Sequence, residues 1–218
     1  MEGKFITLEG IDGVGKSTQM ACIGRLLEEA GIDHIATREP GGTPLAEQIR
    51  RLLLEVRDED VASLAELLLI FAARSQHLEE RIRPALKAGV WVVSERFTDA
   101  TYAYQGGARG LSERTIAQLE SLVQGTLQPH LTLFLDAPLS AAAQRMGDRA
   151  GADRFEREGA EFFRRVREGY LSRAKLHERI LVIDAARPVE EVGTAVAAAL
   201  RPLISAHLSE VAATRESQ

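Results

Sequence analysis

Five short runs of β-branched or apolar residues recur along the chain, at Phe5 to Leu8, Ile32 to Thr37, Val90 to Ser94, Leu131 to Asp136 and Ile180 to Asp184, each followed by a helix-like stretch. Near-continuous apolar runs suit strands covered on both faces. The alternation therefore predicts an α/β fold: a five-stranded parallel sheet flanked by helices. Sheets of this kind bind ligands beyond the carboxyl ends of their strands. The positions that follow Leu8, Thr37, Ser94 and Asp136 are the ones to inspect, and three of them carry unusual chemistry.

Beyond Leu8 the chain reads Gly10, Ile11, Asp12, Gly13, Val14, Gly15, Lys16, Ser17, Thr18, which satisfies G-x-x-x-x-G-K-[ST] between a predicted strand and a predicted helix. The glycines let successive backbone N–H groups turn inward around a phosphate, and the helix adds the positive end of its dipole. In such a phosphate-binding loop Lys16 reaches the β- and γ-phosphates and the Ser17 hydroxyl ligates Mg²⁺, so ATP and Mg²⁺ are expected. A glycine-rich turn alone would not need a Lys and a Ser together at the helix entrance.

The rest of the composition narrows the function. With 218 residues, 45% hydrophobic and 27% charged, the chain suits one globular domain. A net charge of -5 leaves no general basic surface for nucleic acid, so any phosphate must be gripped locally. The single Cys22 cannot form an internal disulfide, and the five histidines are too scattered for a zinc site. Apolar runs such as Leu64 to Ala73, interrupted by Glu66, fall short of the roughly 20 residues of a membrane span. The opening Met1-Glu2-Gly3-Lys4 lacks a secretory pattern, and a cytoplasmic protein is expected. Leu64, Leu67, Leu68, Phe71, Leu78, Ile82 and Leu86 recur at helical spacing and predict a long amphipathic helix. Met146 to Gly159, rich in Gly, Arg and Asp, reads as a mobile loop, and the tail after Leu208 reads as frayed.

Nucleotide switches and motors share this loop with kinases. The chain has no asparagine, which rules out the Asn-Lys-x-Asp guanine-reading motif of a GTPase switch. It also lacks the hydrophobic strand ending in Asp-Glu, and the length, usual for large ATPases. A small kinase remains.

Four further segments sit behind the loop: Thr37-Arg38-Glu39-Pro40-Gly41-Gly42-Thr43, Phe71-Ala72-Ala73-Arg74, Glu95-Arg96-Phe97 and Thr101-Tyr102-Ala103-Tyr104-Gln105-Gly106-Gly107. In this order they resemble the thymidylate kinases over nearly the whole chain. The resemblance implies the P-loop nucleoside monophosphate kinase fold and ATP-dependent phosphorylation of dTMP to dTDP, on the way to dTTP. It implies Arg38 and Arg96 on the acceptor phosphate, Phe71 stacked on thymine, and Arg74 on a base carbonyl. It also implies Thr101 and Gln105 at the base edge, Tyr104 beside the deoxyribose and Asp12 on the 3′-hydroxyl. Tyr102 reads as structural. The family more often has Asp-Arg-Tyr or Asp-Arg-His where this chain has Glu95-Arg96-Phe97, so Glu95 is expected to approach Mg²⁺ through water.

The acceptor is a phosphate monoester with a second pKa of about 6, so its attacking oxygen is already largely ionised at pH 7 and no general base is needed. Cations must screen two approaching anions, and Lys16, Arg96 and Arg38 are the candidates. Some members of the family carry an arginine within the loop, where this chain has Gly13. The 145–158 segment, with Arg145, Arg149, Arg154 and Arg157, resembles the arginine-bearing lid of the bacterial type. Arg149 is the first choice for closing on the transferring group, Arg154 the second. The resemblance implies a homodimer through helices on one face, and the apolar stripe of Leu64 to Leu86 could serve that purpose. A kinase for dUMP, dCMP or a deoxynucleoside, and a regulator that holds ATP without turnover, remain as alternatives.

Overall fold

The computed structural model describes residues 2–146 and 153–216. Its sheet runs β2 (His34–Arg38), β3 (Trp91–Glu95), β1 (Phe5–Glu9), β4 (Leu131–Asp136), β5 (Ile180–Asp184), with every pairing parallel. All five predicted strands are present. The second starts two residues later than expected, at His34, with Ile32 buried in the core ahead of it.

Alternation along β1 sends Ile6 and Leu8 to one face and Phe5 to the other. On the first face they join Ile23 and Leu27 of α1 (Lys16–Glu29), Val166 and Tyr170 of α8 (Ala160–Leu176), and Val196 and Leu200 of α9 (Val189–Glu216). On the second, Phe5 packs with Val92, Phe97, Leu78, Ile82 and Leu86. The long amphipathic stretch is helical throughout: α3 (Ser63–His77), a π-helical turn (Leu78–Ile82) and α4 (Arg83–Lys87). Between β2 and α3 lies α2 (Pro44–Leu54), opened by Thr43, whose hydroxyl accepts from Ala46 N, with Pro44 in the first turn.

After β3 the chain forms α5 (Thr98–Thr101), a second π-helical segment (Tyr102–Ala108) and α6 (Glu113–Gln124); α7 (Leu139–Met146) follows β4. The frayed tail is a correction: α9 continues to Glu216, and the His207 ring meets Trp91 edge-on at 5.2 Å, tying its outer half to the core. Among the described residues, no helix is long and apolar enough to cross a membrane.

Parallel register fixes the site. Arg38 is level with Glu95, and Glu95 with Leu8, so the ends of three neighbouring strands open side by side. Strands lie about 4.8 Å apart, which brings the groups following β1, β2 and β3 within one ligand's length.

Candidate active site

The loop after β1 has left-handed backbone at Gly10, Gly13 and Gly15, with φ of 139°, 83° and 97°. A Cβ on Gly10 would stand 2.7 Å from the Leu135 carbonyl oxygen, so the turn also needs glycine for space. Lys16 Nζ curls back to donate to Ile11 O at 2.9 Å and to Asp12 Oδ1 at 3.2 Å, with Glu95 Oε1 at 3.7 Å. Burial, and then the charge of Arg96, lower its pKa. Ser17 and Thr18 lie exposed at the helix entrance. A hydroxyl and a carboxylate are the hard oxygen ligands Mg²⁺ prefers.

Arg96 carries the strained residue of the site, with φ 68° in a side-chain-bearing residue. Five contacts hold it there. Its N–H donates to Leu8 O at 2.9 Å, its carbonyl accepts from Ser94 Oγ at 2.8 Å, and the next N–H, of Phe97, donates to Glu9 Oε1 at 2.7 Å. Its Nη2 donates to Asp12 Oδ1 at 2.7 Å, and the guanidinium lies over the Tyr104 ring at 4.9 Å. Burial alone would raise the Asp12 pKa, but Arg96 and Lys16 outweigh it and hold the carboxyl well below its ordinary range. Glu9, wholly buried beneath this turn, takes the opposite course: burial and then the nearby Asp99 charge push it up to about 8.

Asp12, Arg38, Glu95, Arg96, Arg74, Thr101, Tyr104 and Gln105 line one cavity, so eight predicted site residues meet. Arg50 of α2 joins them and was not anticipated from sequence. It donates to Pro40 O at 3.0 Å, and burial followed by the charges of Arg38 and Arg96 lowers its pKa. Three guanidiniums that repel one another mark a place for an anion. Arg38 is half exposed and makes a two-point pair with Glu47, at 3.2 and 2.8 Å, which an incoming phosphate would have to replace.

The other end of the cavity is drier. Arg74 is 2% exposed; its Nε donates to Glu39 Oε2 at 2.7 Å and its Nη2 to Thr101 Oγ1 at 2.9 Å, while Nη1 has no partner among the described residues. Glu39 is also bonded to His77 Nδ1 at 3.0 Å, and the Arg74 charge, followed by the bond to His77, holds its pKa down against its burial. Gln105 Nε2 donates to Glu66 Oε1 at 2.8 Å. Tyr104 is buried, and its ring meets Phe155, Phe162 and Tyr170 edge-on.

Phe71 is a correction. It shares a helix face with Arg74, whose guanidinium lies 4.8 Å from its ring centre, yet it packs with Leu67, Tyr102 and Ile116 and does not line the cavity. Ile70, one turn before Arg74, lines it, together with Phe97 and Ala100. Tyr102 is structural as expected, donating to Glu120 Oε2 at 2.6 Å.

Comparison with known proteins decides the family. The family model for thymidylate kinase matches residues 8–196. The chain is 58% identical over 202 residues to the thymidylate kinase of Chromohalobacter salexigens, covering 91% of this chain and 95% of that one. It is 53% identical over 205 residues to that of Teredinibacter turnerae, covering 94% and 100%. The crystal structure of thymidylate kinase from Ehrlichia chaffeensis superposes with a TM-score of 0.74 at 34% identity, over 92% of this chain and 99% of that one. The chain belongs to the thymidylate kinase family.

As a thymidylate kinase it takes the terminal phosphoryl group from ATP, with Mg²⁺, and passes it to dTMP. Of the two arginines expected to close on the transferring group, Arg149 lies outside the described residues. The other, Arg154, donates from Nη2 to Glu66 Oε2 at 2.6 Å and from Nε to Leu53 O at 2.9 Å, which places its guanidinium beside the acceptor cavity. Asp153, Phe155 and Glu156 line that cavity too. Sequence reasoning missed Glu66, Glu9, Arg50 and Ile70, each of which matters through partners on other elements; only Glu66, an acid inside an apolar helical run, left a visible trace.

Proposed function

We propose that this chain acts as a single kinase domain, with a lid at about 145–158, and that its cavity divides into a phosphate end and a base end. Lys16 and the loop Gly10 to Thr18 hold the ATP phosphates, while Arg38, Arg50 and Arg96 receive the acceptor phosphate. The observation that carries this reading is the Arg96–Asp12 bond, which joins the acceptor cavity to the phosphate loop at 2.7 Å. One rigid group thus touches both substrates' compartments, as in-line transfer requires. When bound, Mg²⁺ supplies charge neutralisation at the transferring phosphoryl group, held by Ser17 directly and by Glu95 through water. Lys16 and Arg96 add fixed positive charge to the same region, and no group need remove a proton from the largely ionised acceptor.

At the base end Arg74 donates to a base carbonyl, Thr101 and Gln105 face the base edge, and Tyr104 packs against the deoxyribose. Asp12 meets the 3′-hydroxyl, exchanging part of its bond to Arg96. Ile70 and Phe97 take the role of apolar walls that sequence resemblance had given to Phe71.

A homodimer is proposed through α2 and α3. Much of the Leu64 to Leu86 stripe is internal, but Leu64 and Leu68 are about half exposed, as are Leu45 and Leu52 on α2, and these make an apolar face that two copies can cover. A cytoplasmic location is proposed with it, since the substrates are cytoplasmic nucleotides.

The test is product formation from ATP and Mg²⁺ with dTMP, dUMP, dCMP, dGMP or thymidine. Formation of dTDP with dUMP slower and the others near background supports the reading. Equal ADP release without an acceptor would overturn it, and light scattering of the eluted protein tests the dimer.

A further inference from the structure

Glu66 is an acidic residue in the first turn of α3, completely buried, and it lies outside the lining of the acceptor cavity. Its two oxygens receive three donors from two distant parts of the chain. Oε1 accepts from Gln105 Nε2 at 2.8 Å and from Arg109 Nε at 3.3 Å; Oε2 accepts from Arg154 Nη2 at 2.6 Å. Arg154 is further fixed by its backbone N–H on Leu54 O at 3.1 Å and its Nε on Leu53 O. Arg109 reaches on to Glu158 at 2.6 Å.

A carboxylate flanked by guanidiniums offers only acceptors. Gln105 must therefore turn its NH₂ toward Glu66, which leaves its carbonyl oxygen as the polar atom for whatever occupies the cavity. Arg74 lines the same cavity, its Nη2 donating to Thr101 and its buried Nη1 without a partner among the described residues. One fixed donor beside one fixed acceptor complements a pyrimidine with a 4-carbonyl and an N3–H. A 4-aminopyrimidine presents the reverse pattern and leaves both groups unpaired.

We infer that Glu66 is a positioning residue that sets the orientation of the Gln105 amide, and so selects a 4-oxo over a 4-amino pyrimidine, and that docking of Arg154 on the same carboxylate ties this selection to the 153–158 segment. The inference rests on the acceptor-site reading above. Arg154 thereby has a place in the reaction cycle on the acceptor side: the segment that covers the cavity is latched to the group that orients the base reader.

The test compares wild type with Glu66→Gln, in which the new amide can offer Gln105 a donor and let it flip. For E66Q, KM for dTMP is expected to rise about tenfold and the dTMP to dCMP ratio of kcat/KM to fall about tenfold, with KM for ATP unchanged. A folded E66Q with the wild-type KM and the wild-type ratio would overturn the role of Glu66, as would lowered thermal stability or kcat without any change in either. A wild type that does not prefer dTMP to dCMP would instead sink the acceptor-site reading itself. If E66Q does not fold, the Gln105 side-chain amide resonance of the wild type, identified by its loss in Q105L, decides: it should be protected from exchange and move little when dTMP binds. A large shift on binding would mean that the NH₂ faces the base and would overturn the inference.

Discussion

Arg96 donates to Asp12 across 2.7 Å from a backbone held at φ 68°, so one residue both bridges the two halves of the site and stores strain there. Left-handed backbone costs a side-chain-bearing residue about 1 kcal/mol or more relative to glycine. R96A and R96G should both lose transfer activity by roughly 10²- to 10³-fold, because each removes a charge that meets the transferring group. They should part in stability, with R96G about 1 kcal/mol the more stable on urea unfolding. Equal stabilities would mean that the surrounding bonds, and not the side chain's conformational preference, set the backbone there.

The Arg74–Glu39 pair separates stability from recognition. Both groups are almost completely buried, and His77 shares the carboxylate. Removing one partner leaves an uncompensated charge in the interior, at about 3–5 kcal/mol. R74M should therefore unfold at lower denaturant and bind dTMP poorly. R74M/E39Q should regain much of the stability while remaining unable to recognise the base, because the guanidinium that lines the cavity is still missing. Unfolding curves and KM for dTMP, measured on both variants, distinguish the two effects.

The five strands and the phosphate loop were legible because their signals are local: apolar runs of strand length, and a glycine pattern between a strand and a helix. Arg38 and Arg96 were legible for the same reason, since each directly ends or follows a strand. The roles of Arg50, Glu66 and Glu9 arise from contacts made across the fold. Glu9 receives the Tyr170 hydroxyl from 161 positions away, and Glu66 receives Arg154 from 88 positions away. Neither contact leaves a periodicity. The π-helical segments were hidden too, because an inserted residue shifts the face of a helix without altering its composition.

Glu9 makes stability depend on pH in an unusual direction. Burial and then Asp99 push its pKa up to about 8, from an ordinary value of 4.5, against the opposing bonds from Tyr170 and Phe97. The folded state therefore holds a proton that the unfolded chain releases. This contribution is fully present below the unfolded pKa and is lost as pH rises from there through the folded pKa near 8. E9Q imitates the protonated form: its carbonyl can accept from Phe97 N and its NH₂ can donate to the Tyr170 oxygen. Melting temperatures between pH 5.5 and 9 should fall for the wild type relative to E9Q, the two lying closest at the acid end. Parallel profiles would show that Glu9 is ionised in the fold throughout.

Ile70 and Phe71 differ by one residue and by about 100° around α3, and that rotation decides which meets the ligand. Spacing from Arg74 does not settle the matter, because i+3 and i+4 neighbours both lie near it on a helix surface. Phe71, 2% exposed among Leu67, Tyr102 and Ile116, is a core residue, and F71A should cost about 3–5 kcal/mol of stability. The milder F71L should fold and keep a KM for dTMP close to wild type. Ile70 lines the cavity, so I70A should raise KM for dTMP several-fold at a smaller stability cost, because an open cavity wall loses less packing than a core position when truncated. If F71L raises KM strongly while I70A leaves it unchanged, the base lies on the Phe71 side of the helix and the wall assigned to Ile70 is wrong.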